Sequence, residues 1–119
     1  MTFEPLEVVV IPFPFTDRRT AKRRPALILS SASFNRAHEQ SILAMITSAG
    51  GNRPSDVAIR DWREAGLNVT CKVRFKLFTL DDRLIVRKLG ALSKRDGEAV
   101  EATLGNVLVS PYRSGSANT

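Results

Sequence analysis

The sequence predicts a β-rich α+β domain, a small and partly open β-barrel of about six short strands with one helix docked at its C-terminal end. Three observations predict it. Short, β-branched apolar runs recur along the chain, bounded by proline, glycine or charged residues. One run, CKVRFKL at residues 71–77, alternates strictly between apolar and cationic side chains. Finally, Val100, Leu104, Val107 and Leu108 recur at helical spacing behind Ser93, a capping residue.

Taken in order, LEVVVIPF at 6–13 reads as a buried strand, and PALILSS at 25–31 as a second. The loop between them concentrates Arg18, Arg19, Lys22, Arg23 and Arg24 within seven residues. SILAMITS at 41–48 is a third strand, and SASFNRAHEQ before it has room for a helical turn. AGGNRPSD at 49–56 collects turn formers and marks a loop. VAIRDW at 57–62 then reads as a strand and REAGLN as a turn. In CKVRFKL, Cys71, Val73, Phe75 and Leu77 are expected on a core face, and Lys72, Arg74 and Lys76 on a cationic one. TLDDRL reads as a turn, LIVRKLGAL at 84–92 as the last strand, and residues 94–109 as the helix, with Val100, Leu104 and Leu108 facing the core. Gly97 and Gly105 each cost that helix about 1 kcal/mol relative to alanine, so packing must hold it. Residues 1–109 form one domain, and the aperiodic 110–119 are expected to be a mobile tail.

Eighteen Lys and Arg against twelve Asp and Glu leave a formal charge of +6, a balance that favours polyanionic partners, nucleic acid first and an acidic protein second. The apolar runs are too short to span a bilayer, and Glu4 and Glu7 interrupt the start of any secretory segment, so a cytoplasmic protein is expected. One cysteine, Cys71, and one histidine, His38, exclude an internal disulfide, a Cys/His metal site and a two-histidine acid–base mechanism within one chain. Asp81 and Asp82 are neighbours in a turn and do not read as paired catalytic carboxylates, and Gly50-Gly51 lacks the Lys-Ser/Thr of a phosphate loop. Cys71 reads as a buried, inert thiol, His38 as solvent-exposed and Trp62 as an anchor at the edge of the core, with base stacking as its alternative.

The cations of residues 18–24 suit phosphate, because a guanidinium fork donates two hydrogen bonds while staying charged; a solvated turn is the alternative. The blocks VVVIPFPFTD, KRRPALILS, AMITS, AGL and VRFKLFTLDDRLIVRKLGALS together resemble the PemK/MazF family, toxins of bacterial toxin–antitoxin pairs that act as mRNA interferases. The resemblance runs from about residue 5 to residue 108 and implies an SH3-like, CcdB/MazF-type barrel that forms a homodimer. It implies a sequence-selective, metal-independent endoribonuclease that cleaves single-stranded mRNA by attack of the ribose 2′-hydroxyl, needs no cofactor and is neutralised by an acidic antitoxin. Arg24 of RPA and Thr47 of MITS match the family's catalytic arginine and threonine. Thr16, Asp17, Arg18, Arg19, Lys22 and Arg23 match its flap over the RNA groove, and Ser48, Lys72, Arg74 and Lys76 are further RNA contacts on this reading. Two positions depart from the family pattern: Leu6-Glu7 stands where the first strand usually opens with Gly-Asp, and Cys71 where serine is expected. Two other classes of activity fit the same fold, a CcdB-like toxin that binds DNA gyrase without cleaving anything, and a degenerate member that binds only nucleic acid or its antitoxin.

Overall fold

The computed structural model describes residues 2–13 and 22–108. The flap residues Thr16, Asp17, Arg18 and Arg19, and the expected tail at 110–119, lie outside them. The described residues form β1 (Glu7–Phe13), β2 (Lys22–Ile28), α1 (Ala32–His38), β3 (Gln40–Thr47), β4 (Val57–Ile59), β5 (Cys71–Asp81), a 3₁₀ turn (Asp82–Leu84), β6 (Arg87–Ala91) and α2 (Lys94–Val107). The strands make one antiparallel sheet in the order β4-β5-β3-β2-β1-β6, curved into a half-barrel.

The near-continuous apolar runs arise because this sheet is buried on both faces. Val8, Leu27, Ala44, Ile46, Ile59 and Val73 share one cluster with Ala65, Leu67 and Val100. Their strand neighbours Val9, Ile11, Ala26, Ile28, Leu43 and Leu80 form a second, completed by Phe3 and Ile85. Successive residues on a strand point to opposite faces, so Val8 and Val9, or Ala26 and Leu27, must both be apolar. In β5 the expected core face holds: Val73 is buried, and Cys71, Phe75 and Leu77 pack on the first cluster. Opposite Ala44 and Met45 the register jumps from Leu77 to Arg74, leaving Phe75 and Lys76 as a bulge. Beyond it Phe78 and Leu80 serve the second cluster.

The edges of the half-barrel are joined by the segment after β4. There the chain packs backbone against backbone on β6: a Cβ added to Gly66 would lie 2.4 Å from the Leu89 carbonyl oxygen, and one on Gly90 would lie 2.6 Å from that of Ala65. Gly66 also has φ +87, a conformation side chains disfavour. The AGL block is therefore a closure, and only glycine fits at its centre.

Several boundaries differ from expectation for physical reasons. β2 begins at Lys22, so Lys22, Arg23 and Arg24 are strand residues paired with Phe13, Pro12 and Ile11, not part of a loop. β4 stops at Ile59, because the Arg60 and Asp61 N–H groups donate to the buried Asp96 carboxylate at 3.0 and 2.8 Å in place of a strand partner. β5 continues through Thr79–Asp81, and the turn occupies Asp82–Leu84. Ser41 donates to Asp82 and Gln40 to Asp81, consistent with a structural use of both carboxylates. Ser31 caps α1 through Phe34 N–H, and Ser93 caps α2 through Asp96 N–H. Leu108 is 59% exposed and thus not core: α2 buries only its first turns, at Asp96, Gly97 and Val100.

Those first turns support two expected results. Asp61 accepts from Arg95 Nε and Nη2 at 2.8 and 2.7 Å and from Ser93 Oγ at 2.5 Å, which holds its carboxyl down at about 2. A depressed carboxylate stabilises the fold above its unfolded pKa of about 4 and loses that contribution as pH falls toward its folded value. Asp61→Asn should flatten the decline in stability between about pH 4 and pH 2, measured by urea unfolding at stepped pH; an unchanged slope there would remove Asp61 from the account. Leu6 sits at φ 70, and its Cδ1 would stand 2.8 Å from a Cβ on Gly97. Gly97→Ala therefore gains about 1 kcal/mol of helix propensity only as the end of the Leu6 side chain gives way, so the net change should be small, within about 1 kcal/mol. In the double variant Leu6→Gly/Gly97→Ala that clash is gone, so the double variant should be more stable than the sum of the single changes predicts; strict additivity in denaturant titrations would count against the contact.

Candidate nucleic-acid interface

Directly opposed residues on paired strands share a face, so the register arranges the site. Arg24 lies opposite Ile11, on the face that also presents Phe13 two residues on. Its Cζ stands 5.7 Å from the Phe13 ring centroid, within cation–π range, and that ring is 40% exposed. On the next strand Met45 opposes Ala26, and across β3 Thr47 opposes Lys72 and Met45 opposes Arg74. Pro25, Val10 and Arg87 line up on the other face.

Two hollows open at this end of the sheet. One, of about 420 Å³, is lined by Phe13, Arg24, Met45, Thr47, Arg74, Lys76 and Phe78 among others. The other, of about 640 Å³, is lined by Arg23, Arg24, Thr47, Ser48, Asn68, Val69, Arg87 and their neighbours. Arg24 and Thr47, distant in sequence, contribute to both. The Thr47 hydroxyl accepts from Ala49 N–H at 3.2 Å and lies 3.3 Å from the Ala49 carbonyl oxygen, so the chain after β3 orients it. A third hollow, of about 410 Å³, touches Thr47 from the side of residues 48–56, with Asn52, Arg53, Thr70, Cys71 and Lys72 in its wall. A larger one, of about 1010 Å³, lies around Phe3, His38, Asp82 and Lys88 and carries charges of both signs.

The remaining residues singled out in the sequence divide into two groups. Lys22, Arg23, Ser48 and Lys76 are exposed. Lys72 and Arg74 instead hold the loop: Lys72 Nζ donates to the carbonyls of Gly50 and Gly51 at 3.0 and 3.1 Å and reaches Asn52 Oδ1 at 3.4 Å. Arg74 grips Asp56 through Nε and Nη2 at 3.2 and 2.9 Å, and Nη2 also donates to Gly51 O at 2.8 Å. That grip lowers the Asp56 carboxyl below its usual range and raises the guanidinium. Cys71 is half-buried, donates to Val69 O at 3.3 Å, and has its thiol pushed up by burial. His38 is exposed with its ring against Phe34, and Trp62 packs on the first cluster with Arg63 over its ring at 4.5 Å. Among the described residues no three His, Cys, Asp or Glu side chains converge.

Phe13, Asn68 and Arg87 line these hollows without having been singled out by sequence. Arg87 reaches the site because β6 pairs beside β1, opposite Val10, which no local pattern announces. Phe13 was closer to legible, as an aromatic that ends an apolar run a few residues before the cations of residues 18–24.

The fold and this cationic, aromatic-edged end define a small half-barrel protein suited to an extended polyanion. No helix among the described residues is long and apolar enough to cross a membrane. The profile described as PemK-like, MazF-like toxin of type II toxin-antitoxin system matches residues 4–108, and the chain belongs to that family. Solved structures agree on the fold. A MazE–MazF complex from Deinococcus radiodurans matches at TM-score 0.70 and 22% identity, over 90% of this chain and 95% of that one. An endoribonuclease in complex with its cognate antitoxin, from a Mycobacterial species, matches at 0.72 and 18%, over 94% and 98%. The Mycobacterium tuberculosis toxin MazF-mt6 matches at 0.67 and 22%, over 84% and 93%. A search of curated protein sequences finds no match.

Proposed function

We propose that this toxin is a sequence-selective endoribonuclease that cleaves single-stranded mRNA without a metal ion. The observation that carries the reading is the meeting of Arg24 and Thr47 in two shared hollows, with exposed Phe13 and Lys76 beside them. In the reaction the ribose 2′-oxygen attacks the adjacent phosphorus, the P–O5′ bond breaks, and a 2′,3′-cyclic phosphate and a free 5′-hydroxyl result. A proton leaves the 2′-hydroxyl and one reaches the departing 5′-oxygen. Arg24 holds the charge that builds on the non-bridging oxygens, the largest electrostatic need of the step. Thr47 aligns phosphate or 2′-hydroxyl by hydrogen bond, since a free threonine hydroxyl is a poor base. Arg23, Lys76 and Arg87 attract the flanking phosphates, joined by Lys22 and the flap cations Arg18 and Arg19; Thr16 and Ser48 offer hydroxyl donors, Asp17 a carboxylate that accepts from a base amino group, and Phe13 offers a base its face.

An acidic antitoxin would compete for the same cations, and the active species on this reading is a cytoplasmic homodimer. The solved complexes of MazF with MazE and of the mycobacterial endoribonuclease with its antitoxin support such a partner. The test is incubation of purified, antitoxin-free protein with a long single-stranded RNA in EDTA, mapping each new 5′ end. Cuts recurring at one short motif with 5′-hydroxyl products are expected. Intact RNA from folded protein would overturn the reading and move attention to gyrase inhibition.

A further inference from the structure

On the ribonuclease reading, we propose that Asp56 and Arg74 are positioning residues that fix the Ser48–Asn52 segment as the wall of a base-reading subsite beside Thr47, with Asn52 as its reading side chain. Arg74 is 12% exposed and Asp56 6%. The carboxylate is fully engaged: Arg74 Nε and Nη2 grip its two oxygens, and Arg53 N–H donates at 2.8 Å. A phosphate that drew Arg74 away would strand a buried, unpaired carboxylate, which is far costlier than leaving a surface cation unbound. Arg74 is therefore built to hold the loop rather than to bind substrate.

What it holds is defined in shape. Gly50 within the segment and Ser55 just beyond it take left-handed backbone, at φ 75 and φ 71, so the chain turns at both places. Arg74 and Lys72 pin its inner carbonyls at Gly50 and Gly51. The segment and β5 then border the open hollow of about 410 Å³ that begins at Thr47. Its wall offers the hydroxyls of Ser48 and Thr70 and the amide of Asn52, groups that read a base edge by donor and acceptor pattern. Of the two cations in this wall, Lys72 has its ammonium occupied by loop oxygens while Arg53 is exposed, so a flanking phosphate can meet Arg53 as the hydroxyls and the amide meet a base edge.

The test uses the full chain on an RNA library in EDTA, comparing Asp56→Asn, Arg74→Ala, Arg74→Lys and Asn52→Ala by mapped cut sites, KM, single-turnover rate at saturating RNA, and salt dependence. Asp56→Asn and Arg74→Ala are expected to lower the preference at one and the same position of the cleavage motif by about tenfold, with KM raised and the saturated rate nearly kept. Arg74→Lys is expected to fail as a rescue, because a lysine lacks the fork that spans both carboxylate oxygens. The contrary result is an unchanged motif with a salt slope reduced by about one in Arg74→Ala and restored by lysine, which would make Arg74 a phosphate contact and overturn the proposal. If circular dichroism shows the ion-pair variants unfolded, the exposed Asn52→Ala decides alone: selectivity lost at one motif position upholds the subsite, and an unaltered motif refutes it. Wild-type protein that cuts no RNA would fell the ribonuclease reading, and the base assignment with it.

Discussion

Replacing Arg24 with alanine is expected to lower the single-turnover rate of RNA cleavage by about 10²–10³-fold while leaving the fold intact. The side chain is exposed at the start of β2, its backbone pairing with Ile11 is independent of its guanidinium, and neither apolar cluster includes it. Stability should therefore change little. The rate should change greatly, since no other described cation lines more than one of the three hollows that Thr47 borders. Arg24→Lys should recover only part of the loss, because an ammonium cannot give two parallel donors to one phosphate. Quench-flow assays at saturating RNA separate this from weakened binding, and a variant that lost affinity alone would return Arg24 to the class of ordinary phosphate contacts.

Gly66→Ala is expected to destabilise the protein by at least about 3 kcal/mol, enough to lower the melting temperature by 15 °C or so. The added Cβ would meet the Leu89 carbonyl oxygen at 2.4 Å, and its neighbours at that contact are backbone atoms of β6 that cannot swing aside. The backbone at φ +87 adds its own strain. Gly105→Ala is the internal control. Among the described residues nothing lies within 4 Å of its added Cβ, so there alanine should stabilise α2 by up to about 1 kcal/mol. Thermal melts of the two variants should thus move in opposite directions, and a mild effect at Gly66 would show that the segment after β4 does not close the half-barrel.

Most of the fold was legible because burial on both sheet faces writes itself into the chain as unbroken apolar runs, as at Val8–Val9 and Ala26–Leu27. The alternation of 71–77 gave its core face correctly, and the cap at Ser93 located the start of α2. What escaped was non-local. Arg60 and Asp61 read as strand until Asp96, more than thirty residues away, claims their N–H groups. Lys72 and Arg74 read as a ribbon open to phosphate, since spacing shows which face a cation shares but not which carbonyls or carboxylate come to meet it. Family resemblance pointed to Arg24 and Thr47; the registers of β1 with β2 and β6, and of β3 with β2 and β5, give the reason those strand ends converge.

Thr47 borders three hollows, and each has one wall of its own: Phe13 and the β5 bulge for one, residues 66–69 with β6 for the next, and Asn52 and Arg53 for the third. On the ribonuclease reading, a substitution confined to one wall and away from Arg24 and Thr47 is expected to change the preference at one position of the motif and to leave the other positions, and cleavage itself, as they were.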